Sequence, residues 1–103
     1  MFMSKYFNIT EFTKSSTAQK HGIKNIPSLE ELKNIDNLIA YILDPLREAY
    51  GKPIIINSGY RCIELNKLVK GSKTSQHLTG QAADIRSVKN TKEENKKLYD
   101  LII

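Results

Sequence analysis

One amphipathic segment, between residues 28 and 51, constrains the fold of this chain more than any other feature of its sequence. Ser28 and Glu31 have the spacing of a capping box, in which each side chain bonds the other residue's backbone N–H at a helix start. Gly51 stands where a left-handed glycine would end the helix, and Pro45 predicts a kink at the residue before it. Apolar residues repeat with the spacing of one helical face at positions 29, 32, 35, 38, 39, 42, 43 and 46. The sequence therefore predicts a long helix that buries one face in the core.

Shorter elements follow this helix and set the fold class. Residues 53–57 contain three consecutive isoleucines and predict a buried strand, and residues 81–86 alternate like a second strand. A short helix is predicted over residues 62–70. A second capping box, Thr91 with Glu94, begins a last helix that runs toward the end of the chain. The order of helix, strand, helix, strand and helix predicts an α+β domain.

The composition narrows the class of protein and its partners. At 103 residues and 11.7 kDa the chain holds a single domain. Its formal charge of +5 favours an anionic partner, whether nucleic acid, a membrane surface or cell wall. The single cysteine, Cys62, excludes an internal disulfide. We find neither a signal peptide nor an apolar run long enough for a membrane span, so we expect a cytoplasmic protein as synthesised, without membrane insertion.

The residues most suited to chemistry lie between Ser75 and Asp84. His77 ends a polar loop, Asp84 follows seven residues later in the predicted strand, and Gly80 between them permits a positive φ. The small side chain of Ala82 leaves room above the sheet. An imidazole nitrogen and a carboxylate oxygen that converge there form the mixed donor set that zinc takes. From the residues alone, a hydrogen-bonded surface pair remains the commoner interpretation.

The pattern S-x-H-x-x-G-x-A-x-D resembles the signature of the zinc D-alanyl-D-alanine carboxypeptidase family of peptidoglycan metallopeptidases. Its fixed positions are met by Ser75, His77, Gly80, Ala82 and Asp84. Residues 51–61 resemble the strand and turn that precede this motif in the family, and residues 44–47 resemble part of its long helix. The resemblance implies a fold like that of hedgehog domains and DD-peptidases, with a small antiparallel sheet flanked by helices.

The resemblance also implies roles for individual residues. His77 and Asp84 would bind zinc, and Arg61 would pair with the substrate carboxylate or steady the developing oxyanion. A plain surface charge, or a partner for Glu64, is the alternative for Arg61. Ser75 would orient the histidine loop or touch substrate, although a hydroxyl that caps the turn is the simpler interpretation. Gly80 and Ala82 would be structural positions of the motif.

The chain departs from the family toward its C-terminal end. In the family, the third zinc ligand is a histidine that follows a tryptophan, with the acidic general base just before it. This sequence has no tryptophan and no histidine after His77. We therefore expect a chain cut short before that element, with weak metal binding, little activity and an open sheet edge that invites dimer formation. We do not expect the site to be completed by the other candidate ligands, which are His21, Cys62, Glu93, Glu94 and Asp100.

The function that the resemblance implies is hydrolysis of D-alanyl peptide bonds in peptidoglycan stem peptides, by carboxypeptidase or endopeptidase action. The absence of an export signal suggests a phage lysis enzyme that reaches the wall after release. A non-catalytic module that binds cell-wall peptides is the alternative. Nucleic-acid binding is not expected, because the basic stretch from Arg61 to Lys73 has no aromatic residue between its ends to stack on a base.

Overall fold

The computed structural model describes residues 4–102 and has the α+β architecture that the sequence predicts. Within this range, short helices accompany one sheet of two antiparallel strands. The α-helices are α1 (Ile9–Thr13), α2 (Ser16–Lys20), α3 (Leu29–Leu38), α4 (Asp44–Tyr50), α5 (Ile63–Leu68) and α6 (Lys92–Tyr99). The strands are β1 (Ile54–Ser58) and β2 (Asp84–Ser87), a π-helical turn spans Ile39–Leu43, and a 3₁₀ turn spans Gln76–Thr79. None of these helices is long and apolar enough to cross a membrane.

The long helical segment begins and ends where the sequence predicts. The Ser28 hydroxyl accepts a hydrogen bond from the Glu31 N–H, and the Glu31 carboxylate accepts one from the Ser28 N–H. This capping box satisfies two backbone donors that the first turn of α3 leaves without helical partners. Gly51 follows α4 with a φ of +74°, a left-handed conformation that glycine adopts without strain.

Pro45 is accommodated by a widened turn in the middle of this segment. Because proline has no N–H, it cannot donate to the carbonyl of Tyr41. The preceding residue, Asp44, instead donates to the carbonyl of Ile39, five positions back, and α3 passes into α4 through a π-helical turn. The irregularity predicted before Pro45 therefore takes the form of a π turn.

The π turn changes which apolar residues face the core. Ile35, Ile39 and Leu43 are buried, whereas Ile42 and Leu29 are exposed. The predicted apolar face is therefore wrong at two positions. The π turn is wider than a regular helical turn, so Leu43 takes the position facing the core that Ile42 would have in a regular helix. Leu29 is the first residue of α3 and lies at the exposed start of the helix.

One hydrophobic core joins the helices, the sheet and the N-terminal segment. Its buried members are Phe7, Phe12, Ile35, Ile39, Leu43, Leu46, Ile54, Tyr60 and Leu98. The N-terminal segment is attached through α1, where the carbonyl of Phe12 accepts a hydrogen bond from the Tyr60 N–H at 2.7 Å. The turn that follows β1 is thereby fixed to α1, which positions it for the site described below.

The two strands pair with one irregularity. Ile56 pairs with Ile85, but the next pair is Ser58 with Asp84, so Asn57 is the extra residue of a β-bulge. Strand β2 begins only at Asp84. Ala82 therefore lies in the loop before the strand, which corrects its predicted place on a strand face.

The last helix departs from its prediction in two ways. The Thr91 hydroxyl caps α6 by accepting from the Glu94 N–H at 3.1 Å, but the Glu94 carboxylate does not complete a capping box. It accepts a short hydrogen bond from the Tyr50 hydroxyl instead, and it is buried rather than solvated. The helix also ends at Tyr99, whereas the sequence predicts a helix that continues toward the end of the chain. A local pattern cannot show such a long-range competitor for a side chain.

Candidate metal centre

Two local features hold His77 in place. The Ser75 hydroxyl caps the 3₁₀ turn by accepting a hydrogen bond from the His77 N–H at 3.2 Å. Gly80 ends the turn with a φ of +79°, the conformation that the sequence predicts for it. A Cβ at Gly80 would lie 2.7 Å from the carbonyl oxygen of Glu31, so both space and conformation require glycine. The loop therefore packs closely on α3, and the imidazole is buried.

The turn after β1 is bonded to this loop at three points. The Gly59 carbonyl is 2.5 Å from His77 Nδ1, and the Arg61 N–H donates to the His77 carbonyl at 3.0 Å. The Arg61 guanidinium donates to the Ser75 hydroxyl at 3.3 Å. A Cβ at Gly59 would lie 2.7 Å from the Cα of Phe12, so the close approach of this turn to α1 requires glycine there.

The contact with Gly59 determines which nitrogen of His77 carries the proton. A backbone carbonyl can only accept a hydrogen bond, so Nδ1 must be the donor. In the neutral ring, Nε2 then has a free lone pair. Metal-ligating histidines are commonly oriented in this way, with one nitrogen bonded to a carbonyl and the other left for the metal.

The free nitrogen of His77 faces the carboxylate of Asp84. Asp84 is the first residue of β2 and pairs with Ser58 across the bulge. Its Oδ2 lies 3.5 Å from His77 Nε2, and its side chain is 66% exposed. The Asp84 carboxylate is therefore accessible to a ligand from solvent, while the His77 imidazole is buried and held by its contacts with the protein.

The separation of these two atoms fits a shared cation better than a direct hydrogen bond. Both atoms are acceptors in the neutral-ring state, and 3.5 Å exceeds the usual hydrogen-bond length. Two ligands at tetrahedral zinc, each with a bond of ~2.0–2.2 Å, lie about 3.4 Å apart. The observed 3.5 Å is therefore compatible with both side chains binding one zinc ion.

A third protein ligand is not found among residues 4–102. No group of three histidine, cysteine or carboxylate side chains is close enough there to hold a metal ion. The other candidate ligands weighed from the sequence do not gather at His77. His21 and Asp100 are exposed, whereas Glu94 is buried beside Tyr50.

Arg61 and Ser75 lie next to the candidate ligands. In the described part of the chain, Arg61 forms no ion pair with Glu64 or with any other carboxylate. Its Nε is buried and has no hydrogen-bond partner, while its Nη2 binds Ser75. The guanidinium therefore keeps unused donor capacity beside the loop that carries His77.

Arg61 also lines an open cavity of about 360 Å³ at the end of β1. Lys14 from the N-terminal segment, together with Gly59 and Tyr60, contributes to the same cavity. Burial, followed by the neighbouring Glu31 carboxylate, raises the pKa of Tyr60 to about 12, so its hydroxyl remains protonated at neutral pH. The cavity is thus polar and bears two cations, which suits an anionic ligand group.

Asn25 is a structural residue of the site that sequence reasoning missed. Its buried side-chain amide donates to the carbonyls of Thr13 and Tyr60, at 3.0 and 2.9 Å, and its oxygen accepts from the Cys62 N–H at 2.8 Å. It therefore fixes the backbone on both sides of Arg61. The sequence around Asn25 does not indicate this role, because all three hydrogen-bond partners come from other segments of the chain.

Comparison with known proteins identifies the family. The family model described as peptidase M15 matches residues 5–100. The zinc D-Ala-D-Ala carboxypeptidase of Streptomyces albus G is 43% identical over 44 residues, which cover 42% of this chain and 17% of that protein. No solved structure matches the chain. The suspected relationship to zinc carboxypeptidases is thereby confirmed at the level of the family, and the chain belongs to the peptidase M15 family.

Proposed function

We propose that this domain is part of a zinc metallopeptidase that hydrolyses D-alanyl peptide bonds in peptidoglycan stem peptides, with His77 and Asp84 as two of the zinc ligands. The observation that carries the proposal is the 3.5 Å separation of two acceptor atoms, His77 Nε2 and Asp84 Oδ2. Membership of the peptidase M15 family and the name of the Streptomyces relative support it.

In this proposal the residues around the ligands have distinct tasks. Zinc, when bound, lowers the pKa of water and polarises the scissile carbonyl. The Gly59 carbonyl keeps the proton of His77 on Nδ1, so that Nε2 stays available as a ligand. Arg61 pairs with the substrate carboxylate or the oxyanion through its unused donors, and Ser75 positions both Arg61 and the histidine loop.

The ligand count limits what residues 4–102 can do alone. A catalytic zinc site needs three protein ligands and an open position for water. No group of three possible ligands is found in this range, which supplies only the two ligands proposed here. We propose that the third ligand and the general base come from outside these residues. The 103-residue chain should accordingly bind zinc weakly and hydrolyse peptides very slowly.

Zinc titration of the purified chain, followed by NMR, tests the ligand assignment. We expect zinc to shift the resonances of His77 and Asp84, with His77→Ala and Asp84→Asn each weakening binding at least ~10-fold. His21→Ala removes an exposed imidazole and is the matched control. Equal effects of His21→Ala and His77→Ala would show that zinc binds nonspecifically, and the ligand assignment would be wrong.

A non-catalytic module that binds wall peptides is the second candidate. The observation in its favour is the cation-lined cavity next to an incomplete ligand set. A peptide that ends in D-alanyl-D-alanine should then bind equally well with and without a zinc chelator. The metallopeptidase proposal expects binding to strengthen with zinc and to weaken when the peptide carboxylate is replaced by an amide.

A further inference from the structure

The charges of this protein are strongly segregated. Residues 12–27 and 60–83 together hold seven basic side chains and one acidic side chain, a formal charge of +6. The other nine basic and ten acidic side chains of the sequence give −1. The net charge of +5 therefore comes entirely from two segments that are distant in the sequence.

These two segments lie side by side in the fold. Asn25 bonds the backbone of Tyr60 and of Cys62. His21 and Lys67, one from each segment, line the same shallow cavity of about 440 Å³, together with Ile23, Glu64 and Leu68. We define the basic face as the exposed lysines of these segments, which are Lys14, Lys20, Lys24, Lys67, Lys70 and Lys73. Within residues 4–102 none of them forms a salt bridge, so their charge is available to a partner.

Exposed aliphatic side chains accompany these lysines. Ile26 is 71% exposed and Ile63 is 68% exposed, and Leu68, next to Lys67, is also exposed. The two aromatic residues of the segments, Phe12 and Tyr60, are buried. The face therefore combines exposed cations with exposed aliphatic groups and presents no Phe, Tyr or Trp ring on which a nucleic-acid base could stack.

We propose that the basic face adsorbs to an anionic lipid surface. Lysines attract acidic headgroups, with several lysines acting together, and aliphatic side chains such as Ile63 enter the boundary between headgroups and acyl chains. A soluble polyanion would satisfy the lysines but would leave Ile26 and Ile63 in water. The combination of charge with exposed aliphatic groups thus favours a membrane surface over a wall polymer or DNA.

Co-sedimentation of the chain with vesicles tests this proposal without any requirement for metal or activity. We expect binding to vesicles of equal parts phosphatidylglycerol and phosphatidylcholine at low salt, and no binding to phosphatidylcholine alone. The variant K24E/K67E/K73E should lose at least ~100-fold in affinity. The control K33E/K89E/K92E has the same net charge as K24E/K67E/K73E, but its substitutions lie outside the basic face. It should therefore bind vesicles as tightly as the unsubstituted chain does.

A second variant separates a lipid surface from a soluble polyanion. I26S/I63S keeps every charge, and both residues are exposed, so the fold should be preserved. We expect weaker vesicle binding by this variant but unchanged, weak retention on heparin. Equal loss in the two lysine variants, or unchanged vesicle binding of I26S/I63S, would overturn the proposal. So would tighter binding to double-stranded DNA than to the anionic vesicles.

Discussion

His77 Nε2 and Asp84 Oδ2 face each other at 3.5 Å, and in the neutral-ring state neither atom brings a proton to the contact. The arrangement depends on the Gly59 carbonyl, which keeps the imidazole proton on the opposite nitrogen. A cation between the two atoms removes the unfavourable approach of two lone-pair donors. The proposed metal site rests on this arrangement, which leads to the first prediction.

The tautomer of His77 can be measured directly. Long-range ¹H–¹⁵N correlation of the metal-free chain should show the neutral His77 ring with its proton on Nδ1, because the Gly59 carbonyl accepts from that atom. Exposed His21, which has no such partner in the described structure, should show both tautomers. A His77 proton found mainly on Nε2 would contradict the proposed ligand geometry.

Gly80 should be far less tolerant of substitution than Gly51. Both have a positive φ, of +79° and +74°, but a Cβ at Gly80 would meet the Glu31 carbonyl, whereas a Cβ at Gly51 would meet open space. We expect Gly51→Ala to lower the free energy of unfolding by about 1 kcal/mol and Gly80→Ala by about 3 kcal/mol. Urea denaturation measures both. Equal losses would show that Gly80 does not contact α3 closely.

Asn25 should contribute more to stability than its position in a loop suggests. Asn25→Ala removes three hydrogen bonds and leaves the Cys62 N–H and the Tyr60 carbonyl without their partner, so we expect a loss of about 2–4 kcal/mol. Asn34→Ala removes one hydrogen bond, to the Thr79 carbonyl, and should cost about 1 kcal/mol. Urea denaturation of both variants provides the comparison, and similar losses would refute the bracing role of Asn25.

The Tyr50–Glu94 hydrogen bond should appear in the acid dependence of stability. The bond from the Tyr50 hydroxyl, aided by Lys52, holds the pKa of Glu94 below its usual value of 4.5. The ionised carboxylate is therefore favoured in the folded state, and its contribution is complete above pH 4.5 and is lost as the pH falls through the lowered pKa.

Tyr50→Phe tests this contribution. The variant should be less stable than the unsubstituted chain at neutral pH, and the difference should shrink as the pH falls below 4.5. Urea denaturation across this pH range measures the difference, with Tyr41→Phe, at an exposed tyrosine, as the control. A difference that grows on acidification would contradict the sign of the effect.

Local signals in the sequence were enough to locate most of the elements and both candidate ligands. The Ser28–Glu31 capping box and the left-handed conformations of Gly51 and Gly80 depend on residues that are close in sequence. A short stretch of sequence is therefore enough to predict them. His77 and Asp84 can likewise be recognised as possible metal ligands from their residue types alone. Their approach to 3.5 Å is not local, because it depends on how the turn after β1 meets the loop.

Two details were predicted wrongly, for different physical reasons. The apolar spacing assumed a regular helix, and the π turn at Pro45 moved Ile42 to the surface. Glu94 was expected to serve its own helix but binds Tyr50, which lies 44 positions earlier. The first of these differences is local, because Pro45 lacks the N–H that a regular turn needs. The second was decided by a tertiary partner, and a single sequence does not reveal which of several possible partners a polar group will meet.

The extra residue at Asn57 has a consequence for any attempt to make the pairing of β1 with β2 more regular. Deleting it would align the strands in continuous register, and such a change would ordinarily be expected to strengthen a two-stranded ribbon. It would also shift the chain beyond Ser58 by one position, which would withdraw the Gly59 carbonyl from the imidazole. A more regular strand pair would therefore come at the expense of the contact that orients the His77 imidazole.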